Sequence, residues 1–249
     1  MINFLKSQNY LMLRSKKFYI LAAVCYVLII LAGLVLYFTG QSGSYFPYDN
    51  ARFYYVNVVG FSGLIIIISV IVNQFFHTKE IHQSEKVSIA FDMPKKTLYF
   101  GKFYALLYYF FTVCLVSFLI LITMGSLLFE DGTRNIMLLV YSIINMAPMI
   151  FGALAVGHAL FSSRMNAVGV VITILLLFTG LKQLFYGLTL LNKGFEPIYK
   201  LTPQYLLDEN LQMYISHHVD LGIEYWIIGL MMGLFSLVLG YLKFKKLEH

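Results

Sequence analysis

The chain is 249 residues long, 59% hydrophobic and only 12% charged, with a mean hydropathy of +0.76. Soluble domains carry about 25% charge, and the apolar residues here fall in blocks of about 20, the length that crosses a bilayer; a soluble domain is excluded and a polytopic membrane protein is expected. A net charge of +6 fits basic cytoplasmic flanks in a membrane protein and does not call for nucleic acid.

Residues 1–17, MINFLKSQNYLMLRSKK, place Ile2, Leu5, Met12 and Leu13 on one helical face, which predicts an interfacial helix; the alternative is a frayed terminus. A first span is expected over about Phe18–Phe38, followed by an aromatic outer loop with Tyr45, Phe46, Tyr48, Phe53 and Tyr54. The second span, about Val56–Phe76, carries Asn57, Gly60, Ser62 and Gly63, small residues that let a neighbouring helix come close. A long polar stretch, residues 77–102, separates it from a third span near Phe103–Phe129.

The fourth span, near Ile136–Leu160, contains Pro148, which predicts a kink, with Asn145 available to satisfy a freed backbone group. The fifth begins at Ala167 and is interrupted by Lys182 and Gln183, so that LFYGLTLL reads as a separate re-entrant or interfacial helix. An outer segment, residues 183–222, is broken by Pro197 and Pro203. The last span is about Ile223–Leu242, where Gly229 and Gly233 form a GxxxG face suited to packing within one subunit or between two.

With the N-terminus inside, 13 Lys and Arg fall on the inner side and five on the outer, so both termini are expected in the cytoplasm. The whole chain thus reads as one all-helical membrane domain of six spans, placed in a bacterial cell membrane.

Chemistry is sparse. Cys25 and Cys114 lie within apolar spans, which disfavours a disulfide or a thiolate metal site. His77 and His82 are five apart and lack the spacing of a zinc protease, so a solvated loop is expected there, and His217-His218 diverge; no metal site is expected. His158 is an intramembrane ionisable residue, either functional or held by a structural hydrogen bond. No acid pair stands at membrane depth, which argues against a proton-driven pump, and no phosphate-binding loop or nucleophile elbow occurs. Energy for uphill transport would have to come from elsewhere.

After the second span the sequence presents Glu80, a short helix, Pro94, Lys95-Lys96 and Gly101-Lys102, and the outer segment contains KLTPQYLLDE. Six spans with this first inner loop and broken outer segment resemble the membrane subunit of ABC type-2 exporters, in the manner of small Gram-positive peptide or drug exporters. Ser84-Glu85 depart from the Gly-Thr pair usual there. The resemblance implies that residues 80–91 form a coupling helix that docks on a cytoplasmic ATP-binding-cassette ATPase. Glu80, Ile81, Ser84, Glu85, Val87, Ile89 and Phe91 would make that contact, and Pro94, Lys95, Lys96 and Lys102 would return the chain to the membrane. Apolar anchors among polar neighbours suit a docking surface; the alternative is an amphipathic loop lying on lipid.

The resemblance further implies an outer gate with Lys182, Pro197, Pro203 and Tyr205, a second permease subunit, identical or not, and ATP and Mg bound by the partner ATPase alone. This chain is then no enzyme and binds no cofactor, and its cargo is an amphipathic peptide, lipid or drug. Two other classes remain open: a membrane-embedded substrate-binding subunit of a vitamin importer, and an intramembrane enzyme, which lacks an acid pair here.

Overall fold

The computed structural model describes residues 2–42 and 46–247, and its described residues are helical or in turns, with no strand. Tyr45 of the aromatic loop lies outside them. In chain order the helices are α1 (Ile2–Leu13), α2 (Lys16–Gln41), α3 (Ala51–Gly60), α4 (Ser62–Phe75), α5 (Lys79–Ala90) and α6 (Lys95–Leu128). There follow α7 (Ile136–Ser162), α8 (Ala167–Leu175), α9 (Leu181–Leu191), α10 (Glu196–Lys200), α11 (Pro203–Ile215) and α12 (Ile223–Lys246). Five helical stretches are long and apolar enough to cross a membrane: α2, α6, Thr133–Ser162, Ala167–Leu191 and α12. The chain is a multi-pass membrane protein by this measure.

The expected second span is broken. α3 and α4 meet at Phe61 with a bend of 53°, and together they are apolar enough for one further crossing. The break has a local cause: Asn57 Nδ2 donates to the Phe53 carbonyl at 2.9 Å, and Gly60 and Ser62 flank the bend. A Cβ on Gly60 would stand in ordinary contact with Leu211, whereas one on Gly63 would meet open space.

The fifth span, by contrast, is not interrupted. Ala167–Leu191 is one helical stretch, with a π turn at Leu176–Gly180 joining α8 to α9, so residues 184–191 continue that helix and do not form a separate piece. Lys182 does not end it because its amine meets Asp208 at 2.5 Å, and Gln204 Nε2 donates to the other oxygen of that carboxylate at 2.7 Å. The prolines act at helix starts: Pro197 opens α10 and Pro203 opens α11, where a missing N–H costs nothing. Tyr205 packs edge-on against Tyr199 at 4.9 Å between ring centres.

α7 is the axis of the molecule and runs unbroken through Pro148. Asn145 does not serve the freed backbone of that proline. Its Nδ2 donates to Asn210 Oδ1 at 3.1 Å and to the Asp220 carbonyl at 2.8 Å, and its Oδ1 accepts from Gly222 N at 3.3 Å. That ties α7 to α11 and to the connection before α12.

α12 packs on α7 more extensively than any other helix pair. A Cβ at Gly229 would fall 2.8 Å from Met149 N, and one at Gly233 2.6 Å from the Phe151 ring. The GxxxG face is therefore spent inside the subunit.

α1 lies along α6 by a stripe of Phe4, Gln8 and Met12, spaced i, i+4, i+8, while Leu13 is exposed. Gly101 makes room for it: a Cβ there would approach Phe4 Cδ1 to 2.7 Å.

Candidate functional site: the α5 helix and its buried anchor

α5 is defined by its ends. Thr78 Oγ1 caps the first turn by accepting from Ile81 N at 3.4 Å, and Glu80 sits favourably at the positive end of the helix dipole. The helix closes with Met93 N donating to the Ser88 carbonyl at 3.0 Å, a geometry that places Asp92 at φ 61°. Pro94 then caps α6 directly. Lys95, Lys96 and Lys102 are accordingly not loop residues: they lie within the first turns of α6. At 34 residues α6 is about 51 Å long, well beyond the ~30 Å thickness of the hydrocarbon core.

The residues of α5 sort onto two faces. Ile81, Glu85 and Ile89, at i, i+4, i+8, turn inward, with His82 beside them; Glu80, Ser84, Val87 and the capping Phe91 make an exposed stripe. Phe91 is 84% exposed and Val87 56%, so only this second face is free to meet a partner. Glu85 and Ile81 belong to the anchor instead. The reason for Glu85 is a charge brought from α6: Lys102 Nζ lies 2.5 Å from Glu85 Oε1, and both side chains are almost wholly buried. His82 Nδ1 donates to the other carboxylate oxygen at 2.8 Å.

Burial alone would raise the Glu85 carboxyl, but the hydrogen bond from His82 and the charge of Lys102 outweigh it and hold the group below its ordinary range. The Gly101-Lys102 pair thus has a physical role, the glycine admitting α1 and the lysine holding α5.

Beside this ion pair lies a second polar chain. His158, fully buried on α7, has Nε2 3.1 Å from the Tyr99 carbonyl of α6, and Nδ1 3.4 Å from His77 Nε2. Since a carbonyl can only accept, His158 Nε2 carries a proton and its Nδ1 is the acceptor for His77 Nε2–H. His77 is not in a solvated loop: its ring stacks on Phe161 at 5.5 Å with the planes 16° apart, because the turn after α4 folds back against α7. Its remaining nitrogen, Nδ1, is buried and has no hydrogen-bond partner. Asn73, one turn earlier, donates to the Leu154 carbonyl at 3.1 Å.

Sequence reasoning missed this constellation because its members come from four elements. His158 alone carried a signal, as an ionisable residue inside an apolar span. Among the described residues no three His, Cys, Asp or Glu side chains are grouped to hold a metal ion. Lys95 has yet another role, donating from Nζ to the Lys245 carbonyl at 3.1 Å and the Leu247 carbonyl at 2.7 Å at the end of α12. Comparison with protein-family models, curated proteins and solved structures finds no match.

Proposed function

We propose that this chain is the membrane subunit of an ATP-driven exporter, with six spans, both termini cytoplasmic and a bacterial cell membrane as its site. One observation supports the reading: α5 is a short, capped helix between two apolar stretches that leaves Val87 and Phe91 exposed while its other face is bolted to the bundle by Glu85 and Lys102. An exposed apolar pair within a polar rim, on a rigidly seated helix, suits docking of a separate protein. The expected partner is a cytoplasmic ATP-binding-cassette ATPase, which would hold ATP and Mg and perform hydrolysis. A second permease subunit would complete the pathway. A cargo of amphipathic peptide, lipid or drug fits a chain with 22 Phe, 19 Tyr and 11 Met. The broken outer segment with Lys182, Pro197, Pro203 and Tyr205 would gate the outer side.

The test is co-purification of an ATPase with the full chain, and ATP hydrolysis by the complex. Val87→Asp and Phe91→Asp are expected to abolish both while insertion and α5 protection are unchanged. Glu80→Lys on the same stripe should weaken them. Ile81→Asp is unsuitable, since Ile81 is only 8% exposed and its loss would unseat the helix. Unaltered coupling in Val87→Asp and Phe91→Asp would overturn the docking reading.

A further inference from the structure

We propose that the His77–His158 pair is a proton-binding site, and that taking up one proton there releases α5 from the helix bundle. The inference concerns how α5 is seated and holds or fails independently of what docks on the outer face.

Two imidazoles stand in direct contact, each with its hydrogen assigned by what surrounds it. His158 must keep its proton on Nε2 for the Tyr99 carbonyl, so His77 must keep its own on Nε2 for His158. Of the four ring nitrogens of this pair, only His77 Nδ1 is then uncommitted, and it is buried and unpartnered. An added proton goes to that lone pair. It finds no acceptor, and it creates a cation in a place already holding the Lys102 ammonium.

The groups that face the pair from each packed element are few. From the α5 side there are His82 and Glu85, from α6 Lys102 and the Tyr99 ring, and from α7 His158 itself. The one carboxylate among them, Glu85, is already shared between Lys102 and His82. No counter-charge is left for a second cation. His77 is itself partly exposed, so the charged imidazole is best accommodated by turning further into water, and His77 directly precedes Thr78, the residue that caps α5. Unstacking His77 from Phe161 therefore draws on the helix itself.

Direction follows from burial. Burial first, then the charge of Lys102 and the neighbouring histidines, hold His77 well below the ordinary value of 6.5. A group held below its free value binds more protons when released. The seated state is therefore fully favoured above about pH 6.5 and loses ground as pH falls, by up to tenfold per pH unit for one proton. Glu85 does not act in that window: its carboxyl lies below 4.5 and its contribution is lost only at lower pH.

Hydrogen exchange of the full chain in neutral-lipid nanodiscs, followed by mass spectrometry of the α5 peptide, tests this. After correction for the intrinsic rate, α5 protection in the wild type should fall about fivefold between pH 6.5 and 5.5, with α7 and α12 unchanged. His77→Gln keeps a donor for His158 but cannot be charged, and should flatten the dependence. His82→Gln should leave it in place. Equal dependence in His77→Gln, or none in the wild type, would overturn the proposal. Should His77→Gln fail to insert, imidazole nitrogen chemical shifts of the wild type decide. One proton taken up by the pair together with α5 release is expected; both rings charging independently, or neither charging down to pH 5, would refute it.

Discussion

Removal of Glu85 is the sharpest probe of the anchor. Glu85→Ala leaves the Lys102 ammonium, 2% exposed at its side chain, without its counter-ion in a buried place. Breaking one partner of a buried ion pair costs about 3–5 kcal/mol. The lost hydrogen bond to His82 adds little, since that side chain is 30% exposed and water replaces the carboxylate. Taking the lower figure, about 3 kcal/mol corresponds to roughly a hundredfold shift in the equilibrium between seated and released α5.

The assay is amide hydrogen exchange of residues 79–90 in nanodiscs at pH 7.5, where Glu85 is fully charged. Glu85→Ala should exchange faster by about two orders of magnitude. The double variant Glu85→Ala, Lys102→Met should recover most of that protection, because the penalty comes from the orphaned charge and not from the missing bond. Were the single and double variants to exchange alike, or Glu85→Ala to remain within twofold of wild type, the ion pair would not be what seats α5.

Other outcomes follow from the same geometry. Gly229→Ala places a methyl against the Pro148–Met149 backbone and should lower stability by roughly 1–3 kcal/mol, whereas Gly63→Ala, with open space, should gain about 0.5–1 kcal/mol; thermal unfolding in detergent checks both. Asn145→Leu strips partners from Asn210 and Gly222 N and should cost about 1–3 kcal/mol for each group left unsatisfied, read by thermal unfolding and by faster exchange in α11. Asp208→Asn should change stability by under about 1 kcal/mol, because the Lys182 pair is partly exposed and screened; a larger loss would mean that the pair sits in a drier place than its exposure shows.

Five of the six expected spans were legible as long apolar helices, because a bilayer demands length and apolarity and both are written in single residues. α5 was reached through the resemblance, as a helix over residues 80–91 with Ile81, Val87 and Ile89 among polar side chains, while its cap at Thr78 came only with the fold. What could not be read was which way Glu85 points. A glutamate in a polar stretch reads as solvated, and only the fold brings Lys102 beneath it. His77 was hidden for the same reason, since its partners His158 and Phe161 lie on α7. A break in the helix was expected at Lys182, but the helix runs on past it, with the lysine paired to a carboxylate on α11. Gly229 and Gly233 were found as a packing face, but the identity of their neighbour needed coordinates.

The seam between α7 and α12 also constrains how the molecule can move. Gly229 lies against the Pro148–Met149 backbone, Gly233 against the Phe151 ring and Gly240 against Ala159 and the Tyr99 hydroxyl, a close seam over three turns of helix, and sliding by one residue would drive larger side chains into it. Such a seam has one register and no near alternative. In any rearrangement of the bundle, α7 and α12 travel as a single beam. The hinges then belong to the joints around it: the bend at Phe61, the π turn at Leu176–Gly180, and the seat of α5.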